Sequence, residues 1–151
     1  MNWLLRLFGA SVGPGVRIFP SVRIMIPWNL KLGEMATVGD AVMLYALGPI
    51  QIGQSATISQ GAHLCAGSHD HTHPNFPLQK AQITIGDSSW ICADAFVGPN
   101  VTIGEGAILG ARGVAVRNVA PWTIVAGNPA KPIGVRKLSK RPPESSHDVS
   151  S

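Results

Sequence analysis

Histidine and aspartate side chains cluster in one short segment of the chain, residues 68–77, which reads Ser-His-Asp-His-Thr-His-Pro-Asn-Phe-Pro. The members of this segment that could do chemistry are His69, Asp70, His71 and His73. Because histidine titrates near neutral pH, such an imidazole could act as a general base that takes the proton of an attacking hydroxyl group. Together with His63 and Cys65, the same histidines superficially resemble a zinc cluster. The segment therefore indicates either acid–base catalysis or metal binding.

This segment interrupts a six-residue repeat, which is clearest between residues 85 and 120. Each repeat opens on an aliphatic residue and, apart from the repeat with Gly113, carries a small residue four places later. The aliphatic positions are Ile85, Ile91, Val97, Ile103, Leu109 and Ala115, and the small ones are Ser89, Ala95, Val101, Ala107 and Val119. Helical burial would need a period of about 3.6 residues, whereas positions an even number apart share one face of a strand. One short strand and one turn per repeat predict an all-β solenoid.

The repeat extends upstream when two-residue insertions are allowed after Ile24 and after Leu44. Grouped in threes, the repeats predict about five coils over residues 12–120, with residues 69–82 as a loop excursion. Glycine follows many aliphatic positions, where we expect a close approach of the chain or a positive φ. Insertions in a solenoid form surface loops, and loops on a rigid scaffold often carry function. The other expected regions are an N-terminal cap at 1–11, a C-terminal cap segment at 121–138 and a disordered tail at 139–151.

Composition indicates a single domain, since 45% of the 151 residues are hydrophobic and only 13% are charged. The two cysteines, Cys65 and Cys92, are expected to be reduced thiols rather than a disulfide framework. The apolar start from Met1 to Phe8 is too short for a signal sequence or a membrane span. These features predict a cytoplasmic protein.

The net charge of +4 is unevenly distributed, because seven of the twelve basic residues follow position 111. Arg117 and Lys131 border predicted structured segments, so they are candidates for binding a phosphate-bearing ligand. No stacking aromatic residues are interleaved with the basic ones, and no docking motif for nucleic acid appears. The charge pattern therefore favours a small phosphorylated ligand over nucleic acid.

Three features together carry a family resemblance. They are the six-residue repeat, the loop signature Ser-Gln-Gly-Ala-His-Leu-Cys-Ala-Gly-Ser-His-Asp at 59–70, and the ending Ala-Gly-Asn-Pro-Ala-Lys at 126–131. The chain resembles the hexapeptide-repeat acyltransferases, which are left-handed parallel β-helix O-acetyltransferases. It is most similar to the branch that acetylates sugars in colanic-acid-type exopolysaccharide synthesis. The resemblance implies a left-handed coil, acetyl-CoA as co-substrate, and a homotrimer with its acetyl-CoA sites in the clefts between subunits.

The same resemblance implies a role for individual residues. His69 matches the catalytic general base of the family. The positions that match coenzyme A contacts are Ala93, Ala111, Val116, Arg117 and Lys131, and those matching or lying near acceptor contacts are Asp40, Asp70 and Trp90. Trp90 could equally anchor a subunit interface. Ala46 stands where relatives often carry Asn or Ser, which leaves the acceptor, a sugar or polysaccharide precursor, undefined. No metal is expected, and a lipid-linked acceptor would bring the protein to a membrane surface.

Two other functions compete with this interpretation. In one family of β-helix carbonic anhydrases, three histidines hold a metal at a subunit interface, and the first lies about two coils before the others. Here no histidine precedes His63, and the His-x-His-x-His run is too local to reproduce that arrangement. A non-catalytic binding or scaffold module would keep the repeats without needing the His-Asp loop or the basic ending.

Overall fold

The computed structural model describes residues 1–140, so most of the predicted tail, residues 141–151, lies outside the described residues. Short strands dominate the described part. The helical elements are α1 (Asn2–Leu7) and a 3-10 turn (Pro27–Asn29). The strands are β1 (Ser11–Val12), β2 (Arg17–Ile18), β3 (Arg23–Met25), β4 (Leu30–Leu32), β5 (Thr37–Val38), β6 (Met43–Tyr45), β7 (Ile50–Ile52), β8 (Thr57–Ile58), β9 (His63–Cys65), β10 (Gly67–His69), β11 (Leu78–Lys80), β12 (Ile83–Ile85), β13 (Trp90–Ile91), β14 (Phe96–Val97), β15 (Thr102–Ile103), β16 (Ile108–Leu109), β17 (Val114–Ala115), β18 (Thr123–Ala126) and β19 (Lys131–Val135).

Three parallel sheets form the sides of a prism. Sheet A contains β1, β4, β7, β12 and β15, and sheet C contains β3, β6, β9, β14 and β17. Sheet B contains β2, β5, β8, β13, β16 and β18, with β19 antiparallel at its edge. The chain passes from A to B to C in each coil, so residues 11–115 make five stacked coils. The predicted solenoid with one strand and one turn per repeat is confirmed.

The core is a column of inward side chains stacked by the parallel register. In sheet C, for example, Leu44 pairs with Leu64, which pairs with Val97, and all three are fully buried. Ser89 is the one buried polar residue among residues 1–140, and its hydroxyl donates to the carbonyl oxygen of Gly86 at 2.6 Å. The buried hydroxyl of Ser89 therefore has a hydrogen-bond partner within its own turn.

Glycine in the turns is required by the neighbouring coil. A Cβ atom on Gly53 would lie 2.6 Å from the backbone nitrogen of Asp87 in the next coil. The positive φ of these turns falls two residues later, at Ser55 and Ser88, both with φ of 55°. Of the two expected reasons for glycine, close approach is the one that applies at Gly53.

The insertions in the repeat sit at the corner between sheets C and A. The first forms the 3-10 turn, where the Asn29 side chain donates to the carbonyl oxygens of Ala46 and Leu47 at 2.9 and 3.0 Å. The long excursion, predicted as a loop over 69–82, is an antiparallel hairpin of β10 and β11 that already begins at Gly67. The hairpin thus projects from this corner between the third and fourth coils.

Both ends of the prism carry a cap. At the start, α1 buries Leu5 against the first coil. At the other end, β18 stacks on β16 and β19 folds back along it, within the region expected to be a C-terminal cap segment. Among the described residues, no helix is long and apolar enough to cross a membrane.

Candidate active site

The β10–β11 hairpin presents His69 at its outer end. In the hairpin register, His69 pairs with Leu78, and the backbone N–H of Asp70 donates to the carbonyl oxygen of Pro77 at 2.9 Å. The backbone N–H of Phe76 donates to the carbonyl oxygen of His73 at 3.0 Å, which tightens the tip. These bonds give the segment between the strands a defined path, so the side chain of His69 is held on a rigid support.

A backbone carbonyl fixes the orientation of the His69 imidazole. Its Nδ1 lies 2.7 Å from the carbonyl oxygen of Phe76, an atom that can only accept, so Nδ1 carries the proton and donates. The other ring nitrogen, Nε2, then bears the free lone pair. Phe76 itself adopts a left-handed backbone conformation with φ of 45°, which is uncommon for a bulky side chain. The geometry provides an oriented imidazole with Nε2 available to take a proton.

Asp70 organises the turn that follows His69. One oxygen of its carboxylate accepts from the backbone N–H of Thr72 at 2.9 Å and from the hydroxyl of Thr72 at 2.6 Å. These two bonds, the one from the hydroxyl first, lower the pKa of Asp70 below its ordinary value. The Asp70 carboxylate thus bonds to Thr72 of its own loop, while the carbonyl oxygen of Phe76 holds the imidazole of His69.

The remaining histidines of the segment do not converge on one point. The Nδ1 atom of His73 accepts from the backbone N–H of Asn75 at 3.2 Å, and His71 is exposed. His63 lies on β9, where its ring makes an edge-to-face contact with Phe96 at 5.3 Å between centroids. Among residues 1–140, no three His, Cys, Asp or Glu side chains are grouped so that they could hold a metal ion.

A cavity of about 440 Å³ adjoins His69 on the outer face of sheet C. The side chains and backbone atoms around it are Met25, Met43, Tyr45, His63, Cys65, Gly67, Ser68, His69 and Leu78. The Nε2 atom of His63 is buried without a hydrogen-bond partner, and burial, followed by nearby Arg23, lowers the pKa of this histidine. The wall beside His69 is therefore largely apolar and carries an uncharged imidazole near neutral pH.

Ala93 and Ala111 lie at the corner between sheets B and C. Their turns stack directly, because the backbone N–H of Arg112 donates to the carbonyl oxygen of Ala93 at 2.9 Å. Asp40 lies at the same corner, two coils lower, where its carboxylate is hydrogen-bonded to the hydroxyl of Ser21. These three candidates share one edge of the prism, and the short side chains of the two alanines leave its backbone accessible.

Arg117 and Lys131 come together in a second cavity, of about 660 Å³, near the C-terminal end of the prism. Its lining residues come from the turn after β17 and from β18 and β19. Both side chains are exposed, and Val116, just before Arg117, is 56% exposed. Two cations that line one cavity could bind phosphate groups through charge-assisted hydrogen bonds. Arg117 follows β17 and lies on the corner between sheets C and A, from which the His69 hairpin also projects, whereas Lys131 begins β19 at the edge of sheet B.

Trp90 occupies the outer face of sheet B, away from both of these cavities. Its indole N–H donates to the hydroxyl of Ser59 at 2.8 Å, while the ring is 46% exposed. It borders a third cavity of about 330 Å³ with Thr57 and Arg136. The predicted site residues are thus divided. Trp90, Ala93, Ala111 and Asp40 lie on sheet B or its corner with C, and Lys131 lies at the edge of sheet B. The remaining ones, His69, Asp70, Val116 and Arg117, lie on the C–A corner.

Several residues around His69 were not among the predicted site residues. The carbonyl of Phe76 carries no side-chain signal, so its contact could not be read from residue type. The outward residues of sheet C had a readable signal, because one coil with its insertion spans 20 residues. That spacing links Met25, Tyr45 and Cys65 as one outward row.

Taken together, a β-helix with a projecting histidine hairpin and a basic end cavity defines the class of hexapeptide-repeat transferases. Residues 82–114 match the family described as bacterial transferase hexapeptide (six repeats). Over 128 residues the chain is 48% identical to WcaF of Escherichia coli (strain K12), named as a candidate colanic acid biosynthesis acetyltransferase, covering 85% of this chain and 70% of WcaF. A candidate acetyltransferase of Dictyostelium discoideum is 33% identical over 131 residues, covering 85% and 68% of the two chains.

Solved structures agree on the fold. A maltose O-acetyltransferase from Clostridium difficile 630 superposes with a TM-score of 0.84 at 23% identity, covering 91% of this chain and 75% of that one. The acetyltransferase VCA0836 from Vibrio cholerae, solved with acetyl coenzyme A, gives a TM-score of 0.84 at 22% identity, covering 91% and 76%. With the identity to WcaF, the chain belongs to the hexapeptide-repeat acetyltransferases. The predicted family, enzyme class and left-handed parallel β-helix fold are confirmed.

Proposed function

We propose that this protein transfers the acetyl group of acetyl-CoA to a sugar hydroxyl during exopolysaccharide or cell-surface polysaccharide synthesis. The proposal depends on the imidazole of His69, whose Nδ1–H donates to the carbonyl oxygen of Phe76 at 2.7 Å. This oriented imidazole borders the open cavity on the outer face of sheet C. The name of WcaF, 48% identical, supports the polysaccharide context. The sugar-acetylating name of the maltose enzyme agrees with it, although the likeness to that enzyme concerns the fold.

In this mechanism, Nε2 of His69 takes the proton of the acceptor hydroxyl as its oxygen attacks the thioester carbonyl carbon. The C=O electron pair moves to oxygen, giving a tetrahedral intermediate. When that intermediate collapses, the C–S bond breaks, and the imidazolium returns its proton to the departing thiolate of coenzyme A. The products are the acetylated sugar and free coenzyme A, and His69 ends the cycle neutral.

The donor would lie along the two corners of sheet C. Small side chains at Ala93 and Ala111 would let an extended pantetheine arm approach the turn backbone, as the resemblance implies. Val116 would flank the arm, and Arg117 and Lys131 would bind the phosphate groups through charge-assisted hydrogen bonds. The shared cavity of the two cations supports this assignment.

We also infer a homotrimer, and the division of these residues between two corners of one prism supports it. One chain does not bring His69 and Ala111 into a common cavity, whereas a neighbouring chain could supply the missing corner. The outward faces of the sheets support this. Sheet A is polar outside, with Ser11, Lys31, Gln51, Thr84 and Thr102. Sheet C is mostly apolar outside, with Met25, Met43, Tyr45, His63, Cys65, Phe96 and Val114 beside the single cation of Arg23, a composition that suits an interface.

The acceptor is assigned more broadly, as a sugar or polysaccharide precursor. Trp90 would stack against the sugar or the thioester, with Asp40 and Asp70 as further polar contacts near the cleft. We infer a cytoplasmic enzyme, for which the free thiols of Cys65 and Cys92 are suited. No nucleic acid partner and no metal are part of the proposed reaction.

The first test is calorimetric titration of the protein with acetyl-CoA after chelator treatment, because it requires no knowledge of the acceptor. We expect saturable binding at about one site per subunit. A folded trimer that binds no acetyl-CoA would refute the proposal.

An acceptor screen would follow, with His69→Ala as the test variant and His71→Ala, an exposed neighbour in the same segment, as the matched control. Loss of the base should lower turnover by about 10²- to 10⁴-fold and leave acetyl-CoA affinity nearly unchanged. His71→Ala should keep wild-type turnover. Turnover of His69→Ala within about tenfold of wild type would remove His69 from the proposed role.

A further inference from the structure

The beginning of the chain leaves many large apolar side chains in solvent. Of the sixteen exposed large hydrophobic residues among residues 1–140, eight lie within the first 28 residues. In α1 only Leu5 is buried, whereas Trp3 and Leu7 are 68% and 72% exposed. A helix that served only to close the core would turn its apolar residues inward. The exposed residues of α1 therefore need another explanation.

The helix is firmly attached to the first coil. The Asn2 side chain donates to the carbonyl oxygen of Val16 at 2.7 Å, and the Arg6 guanidinium donates twice to the carbonyl oxygen of Val12, at 2.9 and 3.1 Å. Between helix and coil runs a groove of about 550 Å³. Its lining residues are Met1, Asn2, Trp3, Val16, Arg17, Ile18, Phe19 and Pro20. We call the exposed residues Trp3, Leu7, Phe8, Arg17, Phe19 and Trp28 the N-terminal surface.

Residues 1–25, which form α1 and the first coil, carry three arginines and no acidic residue of their own. The first acidic residue is Glu34, whereas four basic residues precede it: Arg6, Arg17, Arg23 and Lys31. Arg17 is exposed and borders the groove between Trp3 and Phe19. The nearest described carboxylates come from the second coil, where that of Asp40 is hydrogen-bonded to the Ser21 hydroxyl of the first coil. The apolar end of the prism is thus also richer in basic than in acidic side chains.

We infer that the N-terminal surface docks on a bilayer that contains anionic phospholipids. Tryptophan and phenylalanine are favoured at the boundary between headgroups and acyl chains, and arginine pairs there with lipid phosphate. A second copy of the chain fits less well, since two such surfaces would bring like charges together without a carboxylate to offset them. The combination of exposed aromatic residues with the exposed Arg17 therefore favours an anionic lipid surface.

Docking at this end would leave the proposed chemistry unobstructed. The surface belongs to α1 and the first coil, whereas Arg117 and Lys131 lie at the opposite end of the prism, beyond the fifth coil. Acetyl-CoA could enter from water while the protein is bound to lipid. The inference stands independently of the proposed transferase reaction, because no residue of the N-terminal surface takes part in that reaction.

The test is cosedimentation of the full chain with vesicles of phosphatidylcholine alone or mixed with phosphatidylglycerol. We expect at least about tenfold tighter binding to the mixed vesicles, weakening as salt is raised. The double variant Trp3→Ala, Leu7→Ser should lose about tenfold in affinity for mixed vesicles. Ile133→Ser, which removes a 68% exposed apolar residue at the opposite end, is the matched control and should bind as wild type does.

Three outcomes would overturn the inference. They are equal or absent binding to the two kinds of vesicle, wild-type binding by the double variant, and self-association without vesicles that Leu7→Ser abolishes, which would identify a second copy as the occupant. Acetyl-CoA calorimetry on the same samples checks that the variants are folded. Lipid binding without acetyl-CoA binding in the wild type would refute the proposed function alone.

Discussion

If the protein is the proposed homotrimer, trimers that mix two variants test whether each active site is built from two chains. His69 lies on the hairpin at the corner between sheets C and A, and Ala111 lies at the corner between sheets B and C. His69→Ala removes the proposed base at the first corner. Ala111→Trp would block the donor arm at the second corner, and Ala111 is exposed, so the larger side chain has room without disturbing the core. Each variant alone should be inactive.

The expected recovery follows from cyclic symmetry. If a site combines the hairpin of one subunit with the B–C corner of the next, any trimer with both kinds of subunit has one complete site among its three. Mixed trimers should therefore show about a third of wild-type turnover, and the parent His69→Ala trimer at most about a hundredth. The difference, about thirtyfold, is easily measured.

The assay uses co-expressed variants with two different affinity tags, so that successive purification steps isolate only mixed trimers. Release of the coenzyme A thiol is then followed with the acceptor found in the screen. The control is the mixture of His69→Ala with His69→Asn, in which every subunit lacks the proposed base. These mixed trimers should recover no turnover. If His69→Ala mixed with Ala111→Trp also remains at the level of its parents, the two-chain site is refuted.

Two further predictions concern charge. Lys131→Ala should weaken coenzyme A binding by roughly fivefold at low salt, because one exposed phosphate contact is lost, and by less at high salt, where screening is stronger. Calorimetry at two ionic strengths measures this, with Lys80→Ala as control, and equal affinity of wild type and Lys131→Ala at low salt would exclude the contact. Burial and then Arg23 lower the pKa of His63 below 6.5, so the unfolded chain takes up its proton more readily than the folded one. The stability that neutral His63 contributes is full above pH 6.5 and is lost as the pH falls toward its lowered folded pKa. Thermal midpoints followed from about pH 7.5 to about pH 5.5 should fall less for His63→Leu than for wild type or His71→Leu, and identical falls would contradict this reasoning.

The repeat was readable from sequence because each coil buries the same positions. Leu44, Leu64 and Val97 occupy equivalent places, so periodicity alone predicted their stacking. The hairpin was only predicted as a loop, because its strands β10 and β11 pair with each other and obey no repeat. Its most informative contact, from His69 to the carbonyl of Phe76, depends on a backbone atom that every residue possesses.

The division of the candidate site was also beyond the sequence. Ala93 and Ala111 are 18 residues apart, which predicted that they occupy equivalent turns of successive coils. The hydrogen bond from the backbone N–H of Arg112 to the carbonyl oxygen of Ala93 agrees with that stacking. The sequence did not predict that His69 projects from the corner between sheets C and A, whereas the two alanines lie at the corner between sheets B and C. That fact depends on where sheet C ends in each coil, and it is the reason for proposing that a second chain completes the site.

The stacking of coils also sets the height of each element along the axis of the prism. Successive coils rise by about 4.8 Å, and the hairpin leaves from β9, two coils after β3, so it starts about 10 Å above the first coil. Deleting or duplicating one coil between them would move His69 by about 5 Å along the axis and leave the corners aligned. If the first coil rests on lipid, the height of the His69 hairpin above that coil determines which membrane-anchored acceptors can be acetylated. Their hydroxyl group must extend above the headgroups by about the same distance.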